Sequence, residues 1–174
     1  MRFVFIILLF LGAAEAKRGA GPYIGGGYGT SVLKDNGYYS DLEKNKSNGY
    51  LLYAGAYIND YLSVELEYID GLNYERQNGE TITHKFIDIN TQAHYPFLEK
   101  RIDLFAKFGA GFVYQNSSGH TLVYGAGAAY RIDERYALRM GYNYFDFGID
   151  NSGDGAVDKN MAVGYLFASF EVQF

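Results

Sequence analysis

Apolar and polar side chains alternate along the last segment of the chain. Read backwards from the end, the residues are Phe174, Gln173, Val172, Glu171 and Phe170. Because side chains on a β-strand point alternately to its two faces, one face of this segment is apolar and the other is polar. Such a strand suits a barrel in a lipid bilayer, with its apolar face toward lipid and its polar face toward the interior. An amphipathic strand of a soluble sandwich has the same pattern, and the rest of the chain distinguishes the two.

Similar segments recur along the chain and predict eight strands in all. They span residues 22–31, 50–58, 61–69, 82–95, 102–114, 121–131, 136–145 and 161–174. Segment 82–95 is predicted to have a wholly polar inner face, formed by Asp88, Asn90, Gln92 and His94. Which face of segment 50–58 is buried stays open, because both sets of alternate positions are apolar.

Short and long connections alternate between these strands. The predicted short turns are residues 59–60, 96–101 and 132–135. The predicted longer loops are the polar stretches 33–48, 70–81, 115–120 and 146–160. Short turns at one end and longer loops at the other are typical of outer-membrane barrels, whose turns lie in the periplasm and whose loops lie outside the cell. The pattern therefore predicts an all-β fold, an eight-stranded antiparallel up-and-down transmembrane β-barrel.

Tyrosines cluster near both ends of the predicted strands. The predicted aromatic belts at the two lipid–water interfaces consist of Tyr61, Tyr68, Tyr95, Tyr124, Tyr130, Tyr136 and Tyr144. Tyrosine is also a good strand former in soluble sheets. Clustering at both strand ends nevertheless favours the belts, because amphipathic rings prefer the headgroup level of a bilayer.

The N-terminal residues have the pattern of a secretory signal peptide. Arg2 precedes an apolar run at residues 3–11, and Ala14-Glu15-Ala16 forms a small-residue cleavage site. We predict Sec-type export with cleavage after Ala16, so that residues 1–16 are removed and residues 17–174 form the barrel domain. An uncleaved anchor is the alternative, although the apolar run is too short to span a bilayer as a helix.

Composition narrows the classes of function. The 174 residues suffice for one domain, and the lack of cysteine excludes a disulfide framework and thiolate metal sites. The formal charge of −5 argues against a nucleic-acid partner. The mean hydropathy of −0.17 is far below that of a helical membrane protein, but a barrel has such an average because alternate strand residues are polar or small. No cofactor and no metal are expected.

The order and spacing of five segments resemble the small outer-membrane β-barrel proteins of Gram-negative bacteria, of the opacity-protein and OmpA-transmembrane-domain type. The segments are residues 23–29, 64–68, 108–112, 124–131 and 165–174. The resemblance implies residence in the outer membrane among its lipids and lipopolysaccharide. It also implies insertion by the barrel assembly machinery, for which Phe170, Val172 and Phe174 form the predicted C-terminal signal. Cell-wall anchoring is not expected, because the chain stops at Phe174 without the peptidoglycan-binding domain of longer OmpA-type proteins.

Inward-facing charges of both signs are predicted to fill part of the lumen. An eight-stranded barrel is only wide enough inside for side chains. We predict one salt-bridge network at similar heights, made of Glu65, Glu67, Lys107, Arg139 and Glu171. Arg139 is expected to pair with Glu171, and Lys107 with Glu67 or Glu65, since unpaired charges in a narrow lumen are costly.

The predicted function is structural: an integral, monomeric outer-membrane barrel with a side-chain-filled lumen that supports envelope integrity. Two alternatives stay open, a narrow gated porin-like channel and an adhesin whose loops bind host-surface or other partner molecules. An enzyme is not expected. His94 is predicted to lie in the lumen, His84 and His120 lie near loop bases, and no His-x-Ser motif is present.

Overall fold

The computed structural model describes residues 20–37, 41–98, 101–114, 118–148 and 160–174. These residues form an antiparallel β-barrel of eight long strands and one added strand of three residues. The strands are β1 (Gly21–Lys34), β2 (Leu42–Lys44), β3 (Lys46–Asn59), β4 (Leu62–Arg76), β5 (Thr81–Phe97), β6 (Ile102–Tyr114), β7 (Ser118–Arg131), β8 (Tyr136–Gly148) and β9 (Asn160–Gln173). The predicted fold class is confirmed.

Long strands that are consecutive in the chain pair with each other, and the first and last strands close the barrel. β1 pairs with β9 from Tyr23 opposite Gln173 to Lys34 opposite Ala162. The backbone amides and carbonyls of the long strands are therefore satisfied between strands, as a bilayer requires. The short β2 pairs with the outer part of β4, on the edge that faces β3.

The connections distinguish the two ends of the barrel. The turns after β3, β5 and β7 lie at the same end as Gly21 and Phe174, and we call this the turn end. The connections after β1, β4, β6 and β8 lie at the opposite end, which we call the loop end.

Alternation along each strand separates an apolar outer wall from a packed lumen. In β6, Phe108 faces outward and is 64% exposed, whereas its neighbour Lys107 faces inward and is buried. The facing of β3, which the sequence leaves open, is decided by its pairing with β1 and β4. Tyr53 points into the lumen, and Leu52 points outward with 53% of its surface exposed.

Several strands continue beyond their predicted ends at the loop end. The predicted loop 33–48 is wrong at both margins, because β1 runs to Lys34 and β3 begins at Lys46. The predicted loop 70–81 is wrong over most of its length, because β4 runs to Arg76. Polar residues are compatible with these strand ends, since a hairpin that extends beyond the apolar belt of the barrel meets water.

A β-bulge in β4 explains why the inward and outward alternation of segment 61–69 is shifted by one residue in the part of β4 nearer the loop end. Gly71 has a φ of +85°, a left-handed conformation that favours glycine. The pairing of β4 with β5 shifts between Ile69 and Leu72, so one extra residue enters the strand. Beyond the bulge the even-numbered residues Leu72 and Tyr74 point into the lumen and are fully buried.

The remaining loop predictions are only partly within the described residues. β7 includes residues 118–120 and β8 runs to Gly148, whereas residues 115–117 and 149–159 lie outside the described part. The predicted signal peptide, residues 1–16, also lies outside it and stays a prediction. Within the described residues, no helix is long and apolar enough to cross a membrane.

Candidate functional site in the lumen

The lumen is divided along the barrel axis into three sections. Charged side chains fill the middle, a small polar cluster lies at the turn end, and apolar side chains pack together at the loop end. We call the apolar section the loop-end cap. Its buried members are Leu33, Leu51, Ile69, Leu72, Tyr74, Ile82, Phe86, Val113, Val123, Phe145, Phe147, Met161 and Val163.

The loop-end cap corrects the prediction of a wholly polar inner face for segment 82–95. Ile82 and Phe86 lie on that face and are buried among apolar neighbours. Phe86 stacks on Phe145 with ring centroids 4.2 Å apart. His84 is also fully buried, with its ring centroid 5.5 Å from that of Tyr74. The inner face of the strand is therefore continuously polar from Asp88 toward the turn end, whereas on the loop-end side Ile82 and Phe86 flank His84.

Arg139 on β8 is the centre of the charged section. Its Nη1 donates to Glu65 Oε2 at 2.7 Å and to Glu171 Oε2 at 2.9 Å, and its Nη2 donates to Gln92 Oε1 at 3.1 Å. The guanidinium carbon also lies 4.6 Å from the ring centroid of Tyr53. Charge-assisted hydrogen bonds and a cation–π contact together replace the water that a buried guanidinium has lost.

Lys107 on β6 forms the second cationic centre of the lumen. Its Nζ donates to Glu67 Oε2 at 2.7 Å and lies 3.7 Å from Glu65 Oε1. Asn143 Nδ2 donates to the other oxygen of Glu67 at 2.6 Å. The ring of Phe167 lies beneath the ammonium group, with 5.6 Å from Nζ to the ring centroid. Glu65 therefore joins the two cationic centres into one network.

Tyrosine hydroxyls complete the shell around the buried carboxylates. Tyr23 donates to Glu65 Oε2 at 3.0 Å, and Tyr57 donates to Glu171 Oε1 at 3.0 Å. Glycines on β1 and β3 make room for these rings: a Cβ at Gly55 would lie only 2.5 Å from atoms of the Tyr23 ring. A Cβ at Gly25 of β1 would likewise overlap the ring of Tyr53, so glycines on both strands serve packing inside the barrel.

A Ser–His–Asp cluster at the turn end was not anticipated from the sequence. His94 Nε2 lies 2.8 Å from Ser63 Oγ, and His94 Nδ1 lies 2.8 Å from Asp103 Oδ2. All three residues are buried, on β4, β5 and β6 respectively. Their inward parity was readable, but their proximity depends on the registers of β4 with β5 and of β5 with β6.

The structure brings all five predicted network residues together. The predicted pairs Arg139–Glu171 and Lys107–Glu67 are both in contact. The additional contact of Arg139 with Glu65 joins residues 74 positions apart. The sequence did not predict that the neutral side chains of Gln92 and Asn143 contact this network across the barrel. The only signal for them was the inward alternation of β5 and β8.

The three histidines have different surroundings. His94 lies in the lumen, as described, and His84 is buried in the loop-end cap. His120 faces outward, with its ring centroid 5.1 Å from that of Phe112. Within the described residues, no group of three or more His, Cys, Asp or Glu side chains is placed to hold a metal ion.

The predicted belt tyrosines all lie on the outer wall. Tyr61, Tyr95, Tyr130 and Tyr136 lie at the turn end, whereas Tyr68, Tyr124 and Tyr144 lie toward the loop end. The rings of Tyr124 and Tyr144 pack with centroids 5.0 Å apart, and the Tyr68 hydroxyl donates to Asp70 Oδ2 at 2.6 Å. These contacts fix ring orientation at the edges of the apolar wall.

The residues of the predicted assembly signal lie on the outer face of β9 and at its end. Phe170 and Phe174 are partly exposed, and Phe170 stacks on Tyr136 with ring centroids 5.6 Å apart. Val172 pairs in register with Ile24 of β1. The backbone amide of Phe174 donates to Pro22 O at 2.9 Å, so the last strand is bonded to the first from Ala162 to the end of the chain.

Comparison with known proteins identifies the class. A family model described as the outer membrane protein beta-barrel domain matches residues 3–167 of the chain. The chain belongs to this family. It is an outer-membrane β-barrel protein, and the predicted family resemblance and outer-membrane localisation are confirmed. No curated protein matches the chain.

Solved structures of other outer-membrane proteins share the fold. Neisserial surface protein A is 18% identical, covers 90% of this chain and 99% of its own, and has a TM-score of 0.61. Ail, the attachment invasion locus protein of Yersinia pestis, solved with the heparin analogue sucrose octasulfate, is 20% identical over 91% and 100% of the two chains, with a TM-score of 0.60. OprG from Pseudomonas aeruginosa is 15% identical over 90% and 97%, with a TM-score of 0.61. At these identities the similarity concerns the fold.

The buried ion pairs predict a large penalty when one partner is removed. We expect Lys107→Met to destabilise the barrel by about 3–5 kcal/mol, because Glu67 then keeps a buried charge without its cation. The double variant Lys107→Met/Glu67→Gln is expected to regain most of this loss. The free energy of unfolding checks both expectations. It is measured by urea titration in lipid vesicles and followed by far-UV circular dichroism, because the chain contains no tryptophan for fluorescence.

A pair at the surface provides the matched control. Lys44 and Glu75 form an ion pair outside the lumen, with both side chains about half exposed or more. The hydrogen bond to Glu75 raises the pKa of Lys44 above its ordinary value. Since water screens exposed pairs, Lys44→Met is expected to change stability little. An equal loss in Lys44→Met and Lys107→Met would contradict the assignment of stability to the buried network.

Proposed function

We propose that the protein is a monomeric structural barrel of the outer membrane that supports envelope integrity and keeps its lumen closed. The observation that carries this proposal is the loop-end cap. Phe86 packs face to face on Phe145 and edge to face on Phe147 above the charged section. A solute or hydrated ion would have to displace both the aromatic rings and the ion pairs, and interiors packed in this way resist such displacement.

The charge network supports the same proposal from the energetic side. Glu65, Glu67, Lys107 and Arg139 lie on three different strands, and Glu171 adds a fourth. The contacts of Glu65 with Arg139 and of Glu67 with Lys107 therefore tie strands that are not neighbours in the barrel wall. A network of this kind favours one register of the closed barrel, because any slip leaves a charge buried without its partner.

The protein is proposed to act without catalysis and without a cofactor. The Ser63–His94–Asp103 cluster has the hydrogen bonds of a catalytic triad, but Ser63 is fully buried beneath its neighbours. A nucleophile needs a site next to it that a substrate can enter. Among the described residues, the surroundings of Ser63 offer packed side chains instead, so the cluster is interpreted as structural.

Planar-bilayer recording tests the closed lumen against the porin-like alternative. We expect the refolded protein and Arg139→Ala to be electrically silent, because the loop-end cap persists in both. The triple variant Arg139→Ala/Phe86→Ala/Phe145→Ala is expected to conduct and shows that the assay detects an open lumen. Circular dichroism verifies that each variant is folded.

Discrete openings of the unmodified protein that enlarge in Arg139→Ala would overturn the structural proposal. Such a result would support the narrow gated channel, with the buried ion pairs acting as its gate. Openings that are unchanged in Arg139→Ala would equally contradict a lumen that is closed by the cap and the network.

A second candidate function, adhesion, is favoured by the hairpin of β4 and β5 that extends past the loop-end cap. Arg76 at its tip binds Asp41 at 2.9 Å and Glu80 at 2.6 Å. The hydrogen bond to Asp41 raises the pKa of Arg76, which keeps its charge at any physiological pH. Ail, a structural neighbour, is named for attachment and was solved with a heparin analogue. A firm hairpin above the membrane could present side chains to a host-surface partner.

Changing the hairpin tip tests adhesion. We expect Gln77→Ser/Asn78→Ser/Glu80→Ser, which keeps Gly79 and its left-handed turn, to reduce adherence of bacteria to host cells if the tip binds a partner. Glu134→Ser at the turn end is the matched control, because that end faces the periplasm. Equal adherence of both variants and the unmodified protein would exclude the tip as an adhesive surface.

The protein is further proposed to contact outer-membrane lipids and lipopolysaccharide through its outer wall, and the barrel assembly machinery through its last strand. The partly exposed Phe170 and Phe174 and the outward placement of Val172 next to β1 support the second contact. These side chains lie on the outer surface of the last strand, where they are accessible to a partner before this strand pairs with the first and the barrel closes.

Removing Phe174 tests the assembly signal. We expect most of the truncated protein to be lost from the outer-membrane fraction, because the strand then ends without its terminal aromatic residue. Gln173→Ala is the control, since that side chain lies on the opposite face of β9. Unchanged amounts of folded barrel in cells that produce the truncated protein would contradict the signal.

A further inference from the structure

A continuous series of polar contacts runs from the turn end to the middle of the lumen. It starts at Asp103, which lies 2.8 Å from His94 Nδ1, and continues from His94 Nε2 to Ser63 Oγ at 2.8 Å. Ser63 Oγ lies 3.5 Å from Tyr23 Oη, and the Tyr23 hydroxyl donates to Glu65 Oε2 at 3.0 Å. Each link joins groups that can both accept and donate a proton, apart from the carboxylates at the two ends.

The series continues through Lys107 to a pair of opposed carboxyl groups. Lys107 Nζ lies between Glu65 and Glu67, at 3.7 Å and 2.7 Å from their oxygens. Glu67 is directly opposite Asp88 in the register of β4 and β5, and both side chains are 99% buried. Asn90 donates to Asp88 Oδ1, whereas Asp88 Oδ2 has no hydrogen-bond partner among the described residues.

The middle section contains more acidic groups than cations. Its buried ionisable side chains, among the described residues, are the carboxyl groups of Glu65, Glu67, Asp88 and Glu171 and the cations of Lys107 and Arg139. Like charges directly opposite on paired strands destabilise a sheet, and two close carboxylates away from water do not both ionise. One proton bound by this pair of carboxyl groups removes the repulsion between them.

We propose that Glu67 and Asp88 form a proton-binding site that exchanges its proton with the periplasm through Tyr23, Ser63 and His94. This inference goes beyond the envelope role and does not rest on it. The groups that face the carboxyl pair from the surrounding strands are Glu65 on β4, Asn90 on β5, Lys107 on β6, Arg139 and Asn143 on β8, and Tyr165 on β9.

The transfer balances at each atom. Protonated His94 gives its Nε2 proton to Ser63 Oγ as the Ser63 hydroxyl proton passes to Tyr23 Oη and the Tyr23 proton passes to Glu65. Lys107 then gives one proton to Glu67 Oε2. The Glu65 carboxyl group, protonated at Oε2, rotates so that its proton faces Lys107 and passes to Nζ, which leaves the charge of Lys107 unchanged. The net result is the movement of one proton from His94 to the carboxyl pair, while Asp103 keeps the imidazole oriented.

Among the described residues, the polar contacts of the path lead toward the turn end of the barrel. At the turn end, His94 is 7% exposed, and its ring packs against Tyr57, whose ring also contacts the half-buried Arg131. Beyond Asp88 on the inner face of β5, the next residue is Phe86, which stacks on Phe145. The rings of Phe86 and Phe145 carry no group that relays a proton, and the polar groups of His84 and Tyr74 lie beyond them toward the loop end. The proton of the pair is therefore expected to exchange from the periplasmic side.

Infrared spectroscopy of the refolded, full-length mature barrel in lipid vesicles tests the proposal. A protonated carboxyl group has its own C=O absorption, which shifts when the proton is replaced by deuterium. We expect this absorption at neutral pH in the unmodified protein and its loss in Asp88→Asn. After transfer to D₂O, Ser63→Ala and Tyr23→Phe are expected to slow the shift by about a hundredfold, as removal of a positioned proton relay does.

Thr121→Val is the matched control for the relay variants. Thr121 is a buried hydroxyl on the loop-end side of the lumen, and it donates to the backbone carbonyls of Leu122 and Asp146. Its replacement is expected to leave the exchange rate unchanged. No carboxyl absorption at neutral pH, or an absorption that persists in Asp88→Asn, would overturn the proton site. Exchange as fast in both folded relay variants as in the unmodified protein would overturn the path.

Discussion

Neutralisation of Arg139 inside a lumen filled with side chains is the constraint on which the rest of the structure depends. The guanidinium has exchanged water for Glu65, Glu171 and Gln92, and an aromatic ring lies on its face. A charge in this position requires its partners, because a buried cation without them costs several kcal/mol. The three partners come from β4, β5 and β9, so one side chain on β8 determines how distant parts of the wall fit together.

The apolar and charged sections of the lumen depend on each other. The rings of Phe86 and Phe145 exclude water from the loop end, which lowers the local dielectric and strengthens each ion pair below them. The ion pairs are formed in the same strand register that brings the two rings face to face. This mutual support favours a closed structural barrel over an open channel. It also makes the acidic excess around Asp88 consequential, since little water is available there to stabilise an extra negative charge.

The likeness of this chain to solved outer-membrane barrels concerns the fold alone. In this chain the hairpin of β4 and β5 rises above the cap, and the bulge at Gly71 changes which of its side chains face inward. Leu72 and Tyr74 thereby complete the cap, while Arg76 and its carboxylate partners remain at the surface. The bulge at Gly71 thus sets which side chains of the hairpin close the lumen and which are exposed at its tip.

The sequence by itself determined the strands, the antiparallel barrel and the inward facing of residues such as Glu67, Lys107 and Arg139. These properties follow from the two-residue period of a strand and from the alternation of short and long connections, which are local. The tertiary structure alone decided which inward residues meet. Arg139 reaches Glu65 across 74 positions, and Ser63 meets His94 across 31, because strand register and barrel closure set those distances. The bulge at Gly71 and the apolar cap also emerged only from packing, since a local alternation does not reveal an extra residue in a paired strand.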